Sequence, residues 1–370
     1  MTTKRTPENE RMKRAYLQYL ADVKGRDEHS LDTVAKAIER FDDYSKRRDF
    51  RKFHVEQARA FKTHLLAAKA VRTGAPLSAA TIKSTLAALK AFFLWLADRP
   101  DYRTRIRYAD VEYFNMTENL SRVASAHRRK ACPTLAQIQD VLAAMPTESE
   151  IDRRNRALVA FTILTGARDA AIVSFRLKHI DLDGAVLEQD ARDVHTKGRK
   201  TFTTWFFPVG DDIRQIVVDW VTFLRGEKGF GPEDPIFPKS SVAPGEDRNF
   251  APVGLSRQPW ANAQPVRQKF REAFARAGLP YFNPHSFRNT LVRIAYELRL
   301  DAEQFKAWSQ NLGHEHVLTT FCSYGTLPDH RQGEIIRGLA TGENGPNGDD
   351  DPLELAVRLA NRLAQRKKAG

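Results

Sequence analysis

Apolar residues recur every three or four positions through the first 125 residues, on four separate stripes. Met12, Tyr16, Tyr19 and Val23 form the first, and Leu31, Val34, Ile38 and Phe41 the second. Val55, Ala58, Phe61 and Leu65 make the third, while Ile82, Leu86, Leu89, Phe93 and Leu96 follow Ser78 in the clearest of the set. That spacing places each stripe on one face of a helix, and Ser78 has the side chain of an N-cap. The outer faces carry Lys and Arg, so the region is predicted to be a compact helical bundle whose stripes form its core.

The periodicity fades between Thr117 and Pro133, where the run His127-Arg128-Arg129-Lys130 predicts a basic linker. Thr134 and Gln137 then have the spacing of a capping box, opening a helix through Leu135, Ile138, Val141 and Met145. A mostly apolar helix is predicted over 153–165 and broken at Thr165-Gly166, and a second starts near Arg168 with Ile172 and Phe175 turned inward. Short β-like stretches follow at 185–188, 191–196 and 202–208, with Lys197-Gly198-Arg199-Lys200 as a hairpin turn between the last two. Helices return at 211–225, 265–277, 284–299 and 301–312, and the Gly- and Pro-rich stretch 227–264 reads as a long loop region. After Gly342 a Gly-Asn-Asp segment predicts a flexible linker to a last amphipathic helix, with Leu355, Leu359 and Leu363 on one side. The expected fold is mainly α with a small β-sheet in the C-terminal domain (α+β). The expected division is 1–126, a linker at 127–133, 134–342, and a tail at 343–370.

A chain of 370 residues exceeds what one core usually organises, which supports two domains. No uninterrupted apolar run approaches the roughly 20 residues that span a bilayer. The N-terminus lacks the apolar stretch of a signal peptide. Two cysteines, Cys132 and Cys322, provide neither a disulfide framework nor a thiolate cluster, and a reducing cytoplasm is the expected location. The net charge of +13 is unevenly placed: residues 1–130 hold 28 Lys or Arg against 16 Asp or Glu, an excess of 12, leaving about +1 for the other 240. Such a region suits a polyanion, because each neutralised phosphate releases condensed counterions. Charge alone does not separate DNA from RNA or from an anionic membrane.

The sequence has no Gly-rich phosphate loop ending in Lys-Ser or Lys-Thr, no HExxH and no GxSxG, and no compact run of acidic residues suited to a pair of magnesium ions. Phosphate chemistry here would rely on side-chain cations. These occur in order: Arg168 after Thr165-Gly166-Ala167 at a helix start, Lys197 on a hairpin, and His285 with Arg288 one helical turn apart after Pro284. Phe287, Leu291, Ile294 and Leu298 are expected to bury the opposite face of that last helix. His314 follows Gly313 at the end of the next helix, and Tyr324 is the only tyrosine in the last seventy residues.

Together, TGAR around Arg168, HSFRNT from His285 to Thr290, LGH ending at His314 and TTFCSYG around Tyr324 resemble the tyrosine recombinase (phage integrase) family over nearly the whole chain. The resemblance implies a helical core-binding domain, a basic linker and a catalytic domain that clamp duplex DNA. It implies that Arg168, Lys197, His285, Arg288 and His314 activate a phosphate, with Tyr324 the nucleophile. It also implies a homotetramer on paired recombination sites, monomeric or dimeric when free, in a bacterial cytoplasm at the nucleoid. No membrane partner, metal, ATP or other cofactor is expected.

The proposed residues suit the reaction. A tyrosine hydroxyl, with a pKa near 10, is about one part in a thousand ionised at neutral pH, and nearby Arg and His groups favour the phenolate as it attacks. Two arginines can donate paired hydrogen bonds to the oxygens of the pentacoordinate phosphate, and Lys197 can protonate the departing 5′-oxygen. Three departures from the family pattern stand. Ala171 occupies the position usually acidic, with Asp169 nearby on another face; the interval from His314 to Tyr324 is one residue longer than the commonest, which makes His316 an alternative; and Lys200 shares the turn of Lys197. Two other functions stay open: a type IB topoisomerase-like enzyme that relaxes DNA, and a catalytically silent DNA-binding protein on the same fold. The terminal helix, Leu353 to Lys368, either packs on a neighbouring protomer or docks on its own.

Overall fold

The computed structural model of the chain describes residues 6–71, 73–125, 131–244, 250–298 and 300–314. The chain divides into two units, Met1–His127 and Arg128–Gly370. The tail after Gly342, Cys322 and the run His127–Lys130 lie outside the described residues.

The first unit is built from α1 (Pro7–Asp22), α2 (Glu28–Tyr44), α3 (Val55–Ala67) and α4 (Ala79–Ala97), followed by the short α5 (Pro100–Arg103) and α6 (Tyr108–Val111) and by α7 (Glu118–Ser125). The predicted stripes are its core. Ile38, Phe41, Phe61, Leu65, Ile82, Leu86, Leu89, Phe93 and Leu96 are buried, and Phe41 meets Phe61, Phe93 and Phe114 edge-on. Ser78 caps α4 through Oγ, which accepts from the Thr81 N–H. By length and composition α4 could cross a membrane; Lys83 and Lys90 interrupt its apolar sequence, and its apolar face fills the centre of this unit. Three carboxylates, Glu10, Glu39 and Asp42, come together around the Lys13 ammonium at 3.0, 2.6 and 2.5 Å. Although the apolar periodicity fades after Thr117, α7 continues the helical unit and packs on α4, within the expected first domain.

The second unit opens on α8 (Leu135–Ala144), with the predicted Thr134–Gln137 capping box in place. At its centre lies α9 (Glu150–Thr165), in which every residue from Ala157 to Thr165 is buried. It is surrounded by α8, α11 (Asp211–Gly226), α12 (Gln264–Arg276) and α13 (Pro284–Glu297), while α10 (Asp169–Ile172) follows it directly. The strands β1 (Ile180–Asp181), β2 (Val186–Gln189) and β3 (Phe202–Trp205) form an antiparallel sheet in that order. Val186 pairs with Trp205 and Gln189 with Phe202. The predicted strand at 191–196 is instead a turn: the Val194 N–H bonds back to the Asp190 carbonyl at 2.8 Å, and the Asp190 carboxylate takes the Arg192 N–H and guanidinium.

The stretch 227–264 also differs from its prediction as a loop. It holds β4 (Pro238–Pro244) and β5 (Phe250–Pro259), an irregular antiparallel pair. Their anchor is Arg154 of α9, 1% exposed, which donates to the Pro238 carbonyl and the Ser240 hydroxyl and lies 5.0 Å from the Trp260 ring. The last described helix, α14 (Ala302–Asn311), starts at a capping box formed by Asp301 and Gln304.

Candidate active site

Of the residues singled out in the sequence, Arg168, Lys197, His285, Arg288 and His314 are described; they lie at the ends of α9, α13 and α14 and in the loop between β2 and β3. Gly166 ends α9 in the left-handed region, with φ of 59°. A β-carbon there would stand 2.9 Å from Leu291 and 3.0 Å from Leu312, so the glycine allows both a reversed backbone and the approach of two neighbouring helices. The turn delivers Arg168 to the N-cap of α10, so a helix does start at Arg168, but it is four residues long and ends before Phe175. The Ala170 N–H is taken by the Asp169 carboxylate, whose other oxygen pairs with Arg267 at 2.7 Å. Asp169 is therefore committed to α12.

His285 and Arg288 share α13, where the Asn283 side chain accepts from the Ser286 N–H and Pro284 occupies the first turn. Their exposures differ, since His285 is exposed and Arg288 is 2% exposed. Phe287, Leu291 and Ile294 are buried as predicted, but Leu298, beyond the end of the helix, is 51% exposed. Thr290 fixes α13 to the start of the unit by donating to the Pro133 carbonyl at 2.6 Å.

Arg288 organises the rest. One terminal nitrogen donates to the Gly166 carbonyl, and the other to the Leu312 carbonyl while lying 3.0 Å from His314 Nε2. A single guanidinium thus ties the turn carrying Arg168 to the turn carrying His314. Because a guanidinium can only donate, His314 Nε2 is the acceptor, which puts the proton of a neutral ring on Nδ1. Burial, and then the positive fields of Arg288, Arg168, His285 and Lys197, push the His314 imidazole down to about 3. His314 is neutral at physiological pH for those two reasons.

Two contacts hold His314 against the sheet. Gly313, with φ of 68°, lies so close to Phe202 that a β-carbon would be 2.6 Å from the ring. The Asn311 side chain accepts from the Trp205 N–H at 2.7 Å and donates to the Trp205 carbonyl at 2.8 Å, adding a side chain to the edge of β3. Sequence reasoning missed Asn311 as a positioning residue; its place at the end of a predicted helix gave no sign of a partner 106 residues away.

Lys197 stands exposed in the loop between β2 and β3, followed by Gly198 and Arg199, both at positive φ. Lys200 lines a groove of about 910 Å³ with Phe202, Trp205, Trp308 and His314. The positive charges of Arg168, Lys197, His285 and Arg288 all act on His314, and that is how these five are brought together. Tyr324 and His316 lie outside the described residues.

Residues 134–330 match the model of the phage integrase family, and residues 14–100 match that of the phage integrase N-terminal SAM-like domain. Comparison with curated proteins found no match. Among solved structures, the chain is similar to a "lambda integrase(75-356) dimer bound to a COC' core site" (15% identity, 86% of this chain and 96% of that chain, TM-score 0.59). It is also similar to XerH site-specific recombinase bound to palindromic difH substrate in a post-cleavage complex (14%, 90% and 84%, 0.58). A third likeness is to the Tn1549 transposon integrase in complex with transposon right end DNA (13%, 89% and 99%, 0.53). At these identities the likeness is one of fold.

Proposed function

The chain belongs to the phage integrase family of tyrosine recombinases, and from that membership we propose that it exchanges DNA strands at paired sites through a covalent link between Tyr324 and a 3′-phosphate. The observation that carries the reading is the convergence of Arg168, Lys197, His285 and Arg288 on the buried His314. All of these, with Tyr324, fall inside the matched segment 134–330.

In this reaction the Tyr324 oxygen attacks phosphorus, and the bond from phosphorus to the 5′-oxygen breaks. Arg168 and Arg288 stabilise the charge that gathers on the non-bridging oxygens, a task for which guanidinium donors in a partly buried site are well suited. Neutral His314 donates from Nδ1 to the phosphate, and His285, at the rim, positions the phosphate or takes the proton of the nucleophile. Lys197 gives its proton to the departing 5′-oxygen. The bond energy is kept in the phosphotyrosine, so a partner strand with a free 5′-hydroxyl can rejoin without ATP. The N-terminal unit would grip duplex DNA with its basic surface, and four copies would assemble on two sites. Lys200 and His316 remain the alternatives to Lys197 and His314.

The test begins with nicked duplexes of randomised sequence in the presence of a chelator. Covalent adducts that survive denaturant are captured and sequenced, and the selected site is rebuilt as a suicide substrate. An adduct that is lost in Tyr324→Phe, with strand exchange between two such sites, is the expected result. No adduct, or one that persists in the variant, would remove the reading. An adduct with relaxation of supercoiled plasmid but no strand exchange would assign the chain to DNA relaxation instead.

A further inference from the structure

The loop from Asp190 to Thr201 carries Lys197, and two residues just before that lysine, Asp193 and His195, are tied to one short stretch of chain. Val194, 1% exposed, is buried in the core of the unit. The His195 N–H donates to the Ser174 hydroxyl at 2.9 Å. The Asp193 carboxylate pairs with the Lys178 ammonium at 2.9 Å and faces His179 Nε2 at 3.6 Å. Ser174, Lys178 and His179 follow directly on α10, whose N-cap is Arg168.

His179 is built to face that carboxylate. Its Nδ1 accepts from the Arg176 N–H at 2.9 Å, so the proton of the neutral ring is on Nε2, pointing at Asp193. The ring is 4% exposed, and Nε2 has no hydrogen-bond partner at its present distance. Burial lowers its pKa and keeps it neutral. A donor buried without an acceptor favours any movement that brings the carboxylate closer, which would draw in the loop. Beyond Lys197 the chain turns at Gly198 and Arg199, both at positive φ, and is closed at Thr201, whose hydroxyl accepts from the Ala191 N–H at 3.1 Å.

We propose that Asp193, paired with Lys178 and facing His179, is a positioning residue that sets where Lys197 stands when the 5′-oxygen leaves. The proposal rests on the reading of Lys197 as the proton donor. It follows that Arg168 and Lys197, which act on different oxygens of one phosphate, are both placed by the segment 168–179. An ion pair as exposed as Asp193–Lys178 adds little to stability, so its loss acts on the position of the loop and leaves the fold intact.

The test compares the full-length wild type, Asp193→Ala and Lys197→Ala on the selected suicide duplex in two forms. One has the ordinary 5′-oxygen at the scissile bond, and the other has 5′-sulfur, whose thiolate leaves without a proton because a thiol is far more acidic than an alcohol. On the oxygen ester, Lys197→Ala is expected to slow cleavage about 10²- to 10⁴-fold and Asp193→Ala about tenfold or more, a share of the general-acid contribution. On the sulfur ester both return to within about threefold of wild type. Thermal melting of Asp193→Ala should match wild type. Equal rates for Asp193→Ala and wild type on the oxygen ester overturn the proposal, and so does an equal defect on both esters while Lys197→Ala is rescued. If Lys197→Ala is slow on both esters, the assignment of the proton donor itself fails, and the positioning role falls with it.

Discussion

Replacing Gly313 by Ala tests how the sheet holds His314. The residue has φ of 68°, and its β-carbon would stand 2.6, 2.8 and 3.0 Å from three atoms of the Phe202 ring. Left-handed backbone at a residue with a β-carbon costs about 1–2 kcal/mol. A methyl group forced against a packed ring adds about 1–3 kcal/mol, because Phe202 or the turn must shift. Together the loss is about 2–5 kcal/mol, large beside a typical total stability of roughly 5–15 kcal/mol. Urea unfolding followed by tryptophan emission measures it well. Trp205, Trp220, Trp260 and Trp308 all belong to the second unit, and only Trp95 to the first. The same substitution in a Phe202→Ala background separates the two parts: the steric part should vanish and about 1–2 kcal/mol of backbone strain remain. A loss below about 0.5 kcal/mol for Gly313→Ala, or an equal loss in both backgrounds, would refute the reasoning.

Two further outcomes are expected. The folded pKa of His314, about 3, is depressed below its unfolded value near 6.5. Between those values the unfolded chain binds the extra proton, so stability contributed at His314 is full above pH 6.5 and falls as the pH drops towards 3, by at most on the order of 4 kcal/mol. His314→Gln should flatten that limb of a stability–pH curve, and an unchanged slope would show that His314 titrates normally. Arg288→Lys keeps the charge but loses the fork that reaches the Gly166 and Leu312 carbonyls. It should lower stability by about 2–4 kcal/mol as well as abolish the adduct, and urea unfolding within about 0.5 kcal/mol of wild type would deny Arg288 its structural role.

Features that depend on a side chain's own neighbours in sequence were legible. Helical spacing located α2, α4, α9 and α13 because each buries one face, or in α9 nearly every face, in its own unit. Ser78, Thr134 and Gly166 marked helix ends because their caps are local. The β4–β5 pair escaped for the opposite reason. Its Pro, Ser and Gly residues show no two-residue apolar alternation, Val242 and Val253 are exposed, and its anchor is an arginine 84 residues earlier. The site divides along the same line. Arg168, Lys197, His285, Arg288 and His314 could be read from their order because their functional groups are side chains. The clamp that joins the turns of Arg168 and His314 through Arg288 uses the carbonyls of Gly166 and Leu312, and every residue has a carbonyl. Arg288 looks in the sequence like a phosphate ligand alone, yet its buried position makes it the residue that orders the turns around it. A substitution there releases two turns together whether or not it keeps the charge, so loss of activity in an Arg288 variant is evidence about transition-state charge only when Arg168 and His314 are shown to have stayed in place.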